Sequence, residues 1–318
     1  MLLVSSITPS GRAWVQESAR ASVVGATFID GEKALDETAL TDLARVINIA
    51  GATIVSPDLV AGLASVRSMA RFVALWDRAQ MSAAPTIAWF PGSVASCVAD
   101  LQALSMLITQ SGSLDLDDYV VARISATADA LDRGLIELLV ACPPEESAVR
   151  SAAAEVAVAA TCGIRVRGVA VCPMPRKSDN WPKTIRRAAR AHVDQLEQAL
   201  HPIAVRRARR GEAPAFLEPG TESCSPTVAR HADGLWTWSI TVPGLGMGDV
   251  EVGTWSADAA YPTTHVVMRI DGRTVRSNVE ATLRRCQALE AVVSGDSIAV
   301  TFQQQADQWP KESEASDG

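Results

Sequence analysis

Ser5-Ser6-Ile7-Thr8-Pro9-Ser10-Gly11-Arg12-Ala13-Trp14 follows a short apolar run, Met1-Leu2-Leu3-Val4. In an α/β chain this is where a glycine-rich turn between a first strand and a first helix aims backbone N–H groups at a phosphate. Such a loop needs glycines for close approach, a lysine to follow the outer phosphates and a hydroxyl for Mg²⁺. Here Gly11 is the one glycine of the cradle, Arg12 holds the lysine position, Ala13 holds the hydroxyl position, and Pro9 removes a backbone donor. Asp30 and Glu32, in Ile29-Asp30-Gly31-Glu32, are the acids near a second strand end. The candidate cofactor-binding set is therefore Gly11, Arg12, Ala13, Asp30 and Glu32, with no catalytic residue and no metal site assigned.

Other chemistry-bearing residues are dispersed. The cysteines at 97, 142, 162, 172, 224 and 286 form no C-x-x-C pair, and the four histidines are equally scattered, so local spacing builds no zinc site. Several cysteines lie inside apolar runs and read as buried small hydrophobes of a reducing compartment. Lys183, Arg186, Arg187 and Arg190, with Arg206, Arg207, Arg209 and Arg210, could form a local basic face; a solvated helix and strand end is the preferred reading. Trp236 and Trp238 alternate on one strand and share a face, with Trp255 on the next; a tryptophan-containing core is preferred to an exposed peptide platform. Met69, Met81 and Met106, within an apolar helical stretch from 59 to 114, would suit an adaptable groove, with ordinary core slightly preferred.

The elements that must position these residues alternate. Leu135–Cys142 is a branched apolar run stopped by two prolines; residues 145–162 are Ala-rich with acids at the start; residues 164–172 return as a strand, which makes a parallel, right-handed unit. A second long helix starts near Pro182 and runs to Leu200, and residues 202–208 form another strand. Residues 38–47 and 66–79 have helical spacing, with a connection between them. Residues 1–210 thus read as a mostly parallel α/β domain with flanking helices. Residues 211–226 gather prolines, acids and small residues as a linker. Beyond it, alternating runs at 235–242, 250–255, 264–270 (closed by Asp271-Gly272) and 297–302 give a small all-β sandwich over 227–303, followed by a disordered tail, 304–318.

Composition bounds the partners. The chain has 318 residues, 48% of them apolar and 20% charged, which is that of a globular protein. Its 29 Lys and Arg against 36 Asp and Glu leave a net charge of −7, with no overall pull toward nucleic acid or an anionic membrane. The apolar runs are interrupted by Glu137, Glu155 or Arg165, so no membrane span is expected. The amino terminus reads as a strand instead of a signal peptide, which implies a cytoplasmic protein.

The block L-L-V-A-C-P-P-E-E-S-A-V-R-S-A-A-A-E-V-A-V-A-A-T-C-G-I-R-V-R-G-V-A-V-C-P-M-P resembles the late part of the P-loop ATPase domain of the ArsA family, the arsenical pump-driving and tail-anchored-protein-targeting ATPases. The run L-R-R-C-Q-A-L-E-A-V-V-S-G-D-S-I-A-V-T-F, with I-T-V-P-G-L upstream, is similar to the small heat-shock-like (α-crystallin-type) domain appended to many actinobacterial members. The resemblance spans nearly the whole chain and is strongest after residue 134. It implies a dimeric P-loop NTPase fold that couples nucleotide state to client capture.

The family's nucleotide-handling residues are replaced. Its loop ends G-K-T with an earlier signature lysine, whereas this chain reads S-G-R-A and has no lysine before Lys33. Trp89 stands where the switch aspartate would fall, in P-T-I-A-W-F-P-G-S, and Cys172 where the base-contacting asparagine would be. Arginine does not substitute for a compact ammonium on the outer phosphates, and losing one charge-stabilising group costs roughly 10² to 10³ in rate. The expectation is a pseudo-ATPase with no cofactor; the alternative at the loop is weak binding of ATP with Mg²⁺, or of another phosphate, by Gly11 and Arg12 at the helix N-terminus, against a solvated arginine on a vestigial loop. The pseudo-ATPase would act as a structural or regulatory subunit, as a homodimer or beside an active ArsA-type paralogue, with a protein client. The alternatives are a divergent ATPase completed in trans and a chaperone-like binding module. The thiolate cluster of an arsenite site and the C-x-x-C of a dimer zinc are not present in the sequence.

Overall fold

A computed structural model describes residues 1–6, 27–34, 66–83, 86–111, 118–133, 135–172, 174, 181–208, 224–256 and 260–305. The expected loop residues Gly11, Arg12 and Ala13, the helix at 38–47 with its connection, Arg209, Arg210 and most of the proposed linker and tail lie outside them.

Six strands form a parallel sheet: β1 Leu2–Ser6, β2 Thr27–Asp30, β3 Thr86–Pro91, β4 Glu137–Cys142, β5 Arg165–Val171 and β6 Val205–Arg207. Their order is β2-β3-β1-β4-β5-β6. Leu3 pairs with both Ala88 and Leu138, so β1 lies at the centre, where the strand order reverses. Five described helices connect them: α1 Val66–Gln80, α2 Val94–Ser111, α3 Asp118–Asp132, α4 Glu146–Thr161 and α5 Lys183–Ala199. The crossovers from β2 to β3, β3 to β4, β4 to β5 and β5 to β6 all step in one direction across the sheet. Right-handed connection then puts all five helices on one face, and their buried side chains form one cluster with Leu3, Phe90, Leu138, Val140 and Val169. Leu2, Val4, Ile87, Trp89, Leu139 and Ala141 alternate to the other face and form a second buried cluster.

The expected unit of strand, Ala-rich helix and strand is present as β4, α4 and β5, and β4 pairs with β5 in parallel. The α4 helix ends with paired backbone bonds, Gly163 N–H to Ala160 O at 3.1 Å and Ile164 N–H to Ala159 O at 2.9 Å, which satisfy two of its last carbonyls. The α5 helix begins at Lys183, with Pro182 in the capping position before it.

Two antiparallel sheets follow. One has the order β11-β10-β9 and the other β12-β13-β8-β7. Their strands are β7 Thr227–Arg230, β8 Trp236–Thr241, β9 Val250–Trp255, β10 His265–Ile270, β11 Arg273–Asn278, β12 Cys286–Ser294 and β13 Ser297–Gln304. Asp271 and Gly272 turn β10 into β11 with φ of 49° and 76°, the left-handed pair of a tight hairpin. The β13 strand runs to Gln304, which pairs with Cys286, so the last ladder rung extends one residue into the segment expected as tail. Trp238 is fully buried with Trp236 packed beside it, whereas Trp255 is exposed. Met69 is buried and Met81 is exposed; the side chain of Met106 lies outside the description.

The antiparallel sheets share a core with the helix layer. Trp238, Ile240, Val266, Met268 and Val300 belong to the same buried cluster as Ala152, Ala153 and Val156 of α4. This explains why α4 is apolar nearly all round: one side meets the parallel sheet and another meets the antiparallel module. Alanine keeps the helix thin enough for that approach. At Gly244, with φ of +83°, an added Cβ would lie 2.7 Å from Leu200 Cδ2 and 3.1 Å from Ala153 O, so only glycine fits. Its N–H donates to Ala199 O at 2.9 Å and satisfies a carbonyl that the end of α5 leaves open.

Candidate functional site

In open parallel sheets ligands bind beyond the carboxyl ends of the strands, near the point where the strand order reverses. The ends of β1, β2 and β3 form that edge here. Fully buried Ser5 donates its hydroxyl to Gly92 O at 2.8 Å and so ties the end of β1 to the loop after β3. At the end of β2, Gly31 N–H donates to Trp89 O at 2.9 Å. A Cβ on Gly31 would lie 2.3 Å from that same oxygen, which makes glycine obligatory between the two acids.

The two acids flanking it sit in one tight turn. Asp30 Oδ1 accepts the N–H of Glu32 at 3.1 Å, closing a turn on its own backbone. Both carboxylates lie within electrostatic reach of Arg71 on α1. Burial is the main cause that lowers the Arg71 pKa, the Arg67 charge adds to it, and Glu32 and Asp30 oppose it. The Arg71 Nε–H is buried without a hydrogen-bond partner among the described residues. Among the described residues no three His, Cys, Asp or Glu side chains converge as a metal-binding group.

The start of α2 is more fully built. Ser93 caps the helix, its Oγ accepting the Ser96 N–H at 3.0 Å. Ala95 N–H donates to Glu155 Oε1 at 2.9 Å, and the Ser93 hydroxyl donates to Glu155 Oε2. Glu155 projects from α4, is 1% exposed, and meets Arg273 Nη1 of β11 at 3.5 Å. That contact brings the charges together without hydrogen-bond alignment, since Arg273 Nη1 has no acceptor in line among the described residues. A helix N-terminus attracts an anion through its unpaired N–H groups and its dipole. Here the chain supplies the anion itself.

No protein-family model and no curated protein matches the chain.

The remaining residues singled out in the sequence fall as follows. Trp89 is on β3 opposite Asp30 and Val4, with its side chain in the core of the other sheet face. Cys172 is buried at the end of β5, its N–H donating to Cys142 O at 2.9 Å. Burial pushes both thiols up to about 12, so neither is a nucleophile near neutral pH. Burial likewise raises Cys97 and Cys162. Within the basic group, Arg207 is held by Asp194 and Glu197, its Nε reaching Glu197 Oε1 at 3.1 Å.

Sequence reasoning missed Glu155, Arg273 and Arg71. The signal for Glu155 was present: a lone acid in A-A-A-E-V-A-V has to find a buried partner once that helix is covered on all sides. Arg273 carries no such mark, because β11 is polar apart from Val275 and an arginine there is unremarkable.

Proposed function

We propose that the chain is a non-catalytic, partner-binding protein on an ArsA-type, P-loop-like α/β body, a pseudo-ATPase serving as a structural or regulatory subunit. It pairs with itself or with an active paralogue. The observation that carries this reading is Glu155. Beside the ends of β1 and β3, the N-terminus of α2 is already filled by an internal carboxylate. The turning of Asp30 onto its own backbone and the burial of Trp89 in the opposite core support the same reading. The parallel order with β1 at the centre supports the body's resemblance.

The test is a thermal-shift and calorimetric titration of the whole chain with Mg-ATP and Mg-ADP. A ligand at a hundred times its Kd adds about 2.7 kcal/mol of stability and a visible rise in Tm. No shift at millimolar nucleotide is expected; a clear shift with measurable heat overturns the pseudo-ATPase reading.

A second reading, a chaperone-like binding module, is favoured by β12. That strand is at the edge of its sheet, with Leu289, Val292 and Val293 at 52%, 48% and 41% exposed. An apolar edge with open backbone groups is a template for another chain.

A further inference from the structure

The helix–sheet body and the antiparallel module enclose a cleft of about 220 Å³ between them. The body contributes the end of α4, the start of β5 and the turn from α5 to β6; the module contributes the end of β8 and the turn from β12 to β13. The cleft lies at the amino end of β5, the edge of the parallel sheet opposite to the one where Ser5 meets Gly92. Its walls are apolar: Ala160, Ile164, Val166, Ile203 and Pro243 line it, and all five are buried. A cavity of about 150 Å³ with such walls takes up benzene. This one accommodates a single ring with a short side chain.

The polar groups on the lining are few and unequal. Asp296, in the turn from β12 to β13, is half-buried and held at two points: its carbonyl accepts the Val242 N–H at 2.7 Å, and its Oδ1 accepts the Gly246 N–H at 3.3 Å. No described residue forms an ion pair with it. His201 and Thr241 also line the cleft but are exposed, where water competes for whatever they hold. A fixed, uncompensated carboxylate beside apolar walls is complementary to a cation carried on an apolar body. A phosphate or carboxylate would meet Asp296 as a like charge, and a polyol would leave hydroxyls unpaired against Ile164 and Val166.

We propose that this cleft binds a small arylalkyl amine, its ring among Ile164, Val166 and Ile203 and its ammonium on Asp296. Because the walls come from both the body and the module, an occupant ties the two together and stabilises the folded chain. Cys224 supplies a reporter. It lines the same cleft and is half-buried, whereas Cys97, Cys142, Cys162, Cys172 and Cys286 are buried. A thiol reagent reaches Cys224 first, and an occupant of the cleft shields it.

The experiment follows maleimide labelling of Cys224 in the full native chain by peptide mass spectrometry, at mildly alkaline pH because burial raises this thiol's pKa. The probes are phenethylamine and phenylpropionate, a pair of similar shape and opposite charge. Millimolar phenethylamine is expected to slow the labelling and raise Tm, and phenylpropionate to do neither. Asp296→Asn keeps an acceptor for the Gly246 N–H and is expected to weaken the protection about tenfold. Thr241→Trp, which fills the mouth from an exposed position, is expected to abolish the heat of amine binding in calorimetry. Far-UV circular dichroism and ligand-free melts verify the fold of both variants. Labelling that phenethylamine leaves unchanged overturns the proposal, as does an Asp296→Asn chain that binds the amine as tightly as the native one. Equal protection by phenylpropionate assigns an apolar site indifferent to charge and also overturns it; that comparison uses the native chain alone and decides the matter even where a variant does not fold.

Discussion

Glu155 and Arg273, 118 residues apart in the chain, meet at 3.5 Å where the helix layer touches the antiparallel module. The same carboxylate holds the first turn of α2 through Ala95 and Ser93. One buried side chain thus fixes three elements: α4 that bears it, α2 that it caps, and β11 that covers it.

Removing that charge leaves two helix donors and a half-buried guanidinium without their anion. Glu155→Ala is expected to lose about 3 to 5 kcal/mol of stability, in the range for breaking a buried pair. Arg273→Met should cost less, because its contact lacks hydrogen-bond alignment. Urea denaturation of both single variants and the double variant gives the coupling. A Glu155→Ala loss below about 1 kcal/mol would contradict the three-element role.

The β12 edge makes a separate prediction. If it receives other chains, the full protein slows the light scattering of a heat-denatured client, and Leu289→Lys with Val292→Lys removes that protection. Both positions are exposed, so stability should change by no more than about 0.5 kcal/mol each. A native chain with no effect on the client's scattering removes this reading.

His265 gives the pH dependence. It is buried on β10, with Nδ1 2.8 Å from Thr264 Oγ1 and its ring 5.3 Å from Trp255. Burial lowers its pKa, the Arg276 and Arg284 charges lower it further, and the Asn278 side chain opposes them. The unfolded chain therefore takes up this proton at a higher pH than the folded one. The contribution is fully present above the ordinary histidine value of about 6.5 and is lost as pH falls from there through the lower folded value. Urea midpoints measured from neutral to mildly acidic pH should decline in the native chain and decline less in His265→Gln. Parallel curves would show that another group governs this window.

How much was legible follows from where each signal resides. The α4 helix and the strands beside it were readable because alanine content, terminal prolines and the apolar runs are local properties, and the structure places them within a residue or two. The Asp271-Gly272 turn was readable for the same reason. Strands β7, β11 and β12 were not picked out by alternation: their residues are mostly polar or exposed, and they are strands because of the partners they pair with. Asp30 and Glu32 could be placed at a strand end from their neighbours, but Arg71 beside them could not, since helical periodicity says which face a residue shares and not what stands opposite. Glu155 was read only as an interruption in an apolar run; its partners come from two other elements, and no spacing rule connects them.

The central position of β1 has a consequence for the order of events during synthesis. Its partners on the two sides, Ile87 to Pro91 and Glu137 to Ala141, are translated long after it. A strand made before both of its partners keeps one edge open until β3 has been made and the other until β4 has left the ribosome. The nascent chain up to about residue 142 is thus the stage at which a trigger-factor-like holdase would matter most, and a pause in translation shortly after β4 would favour correct closure of the sheet.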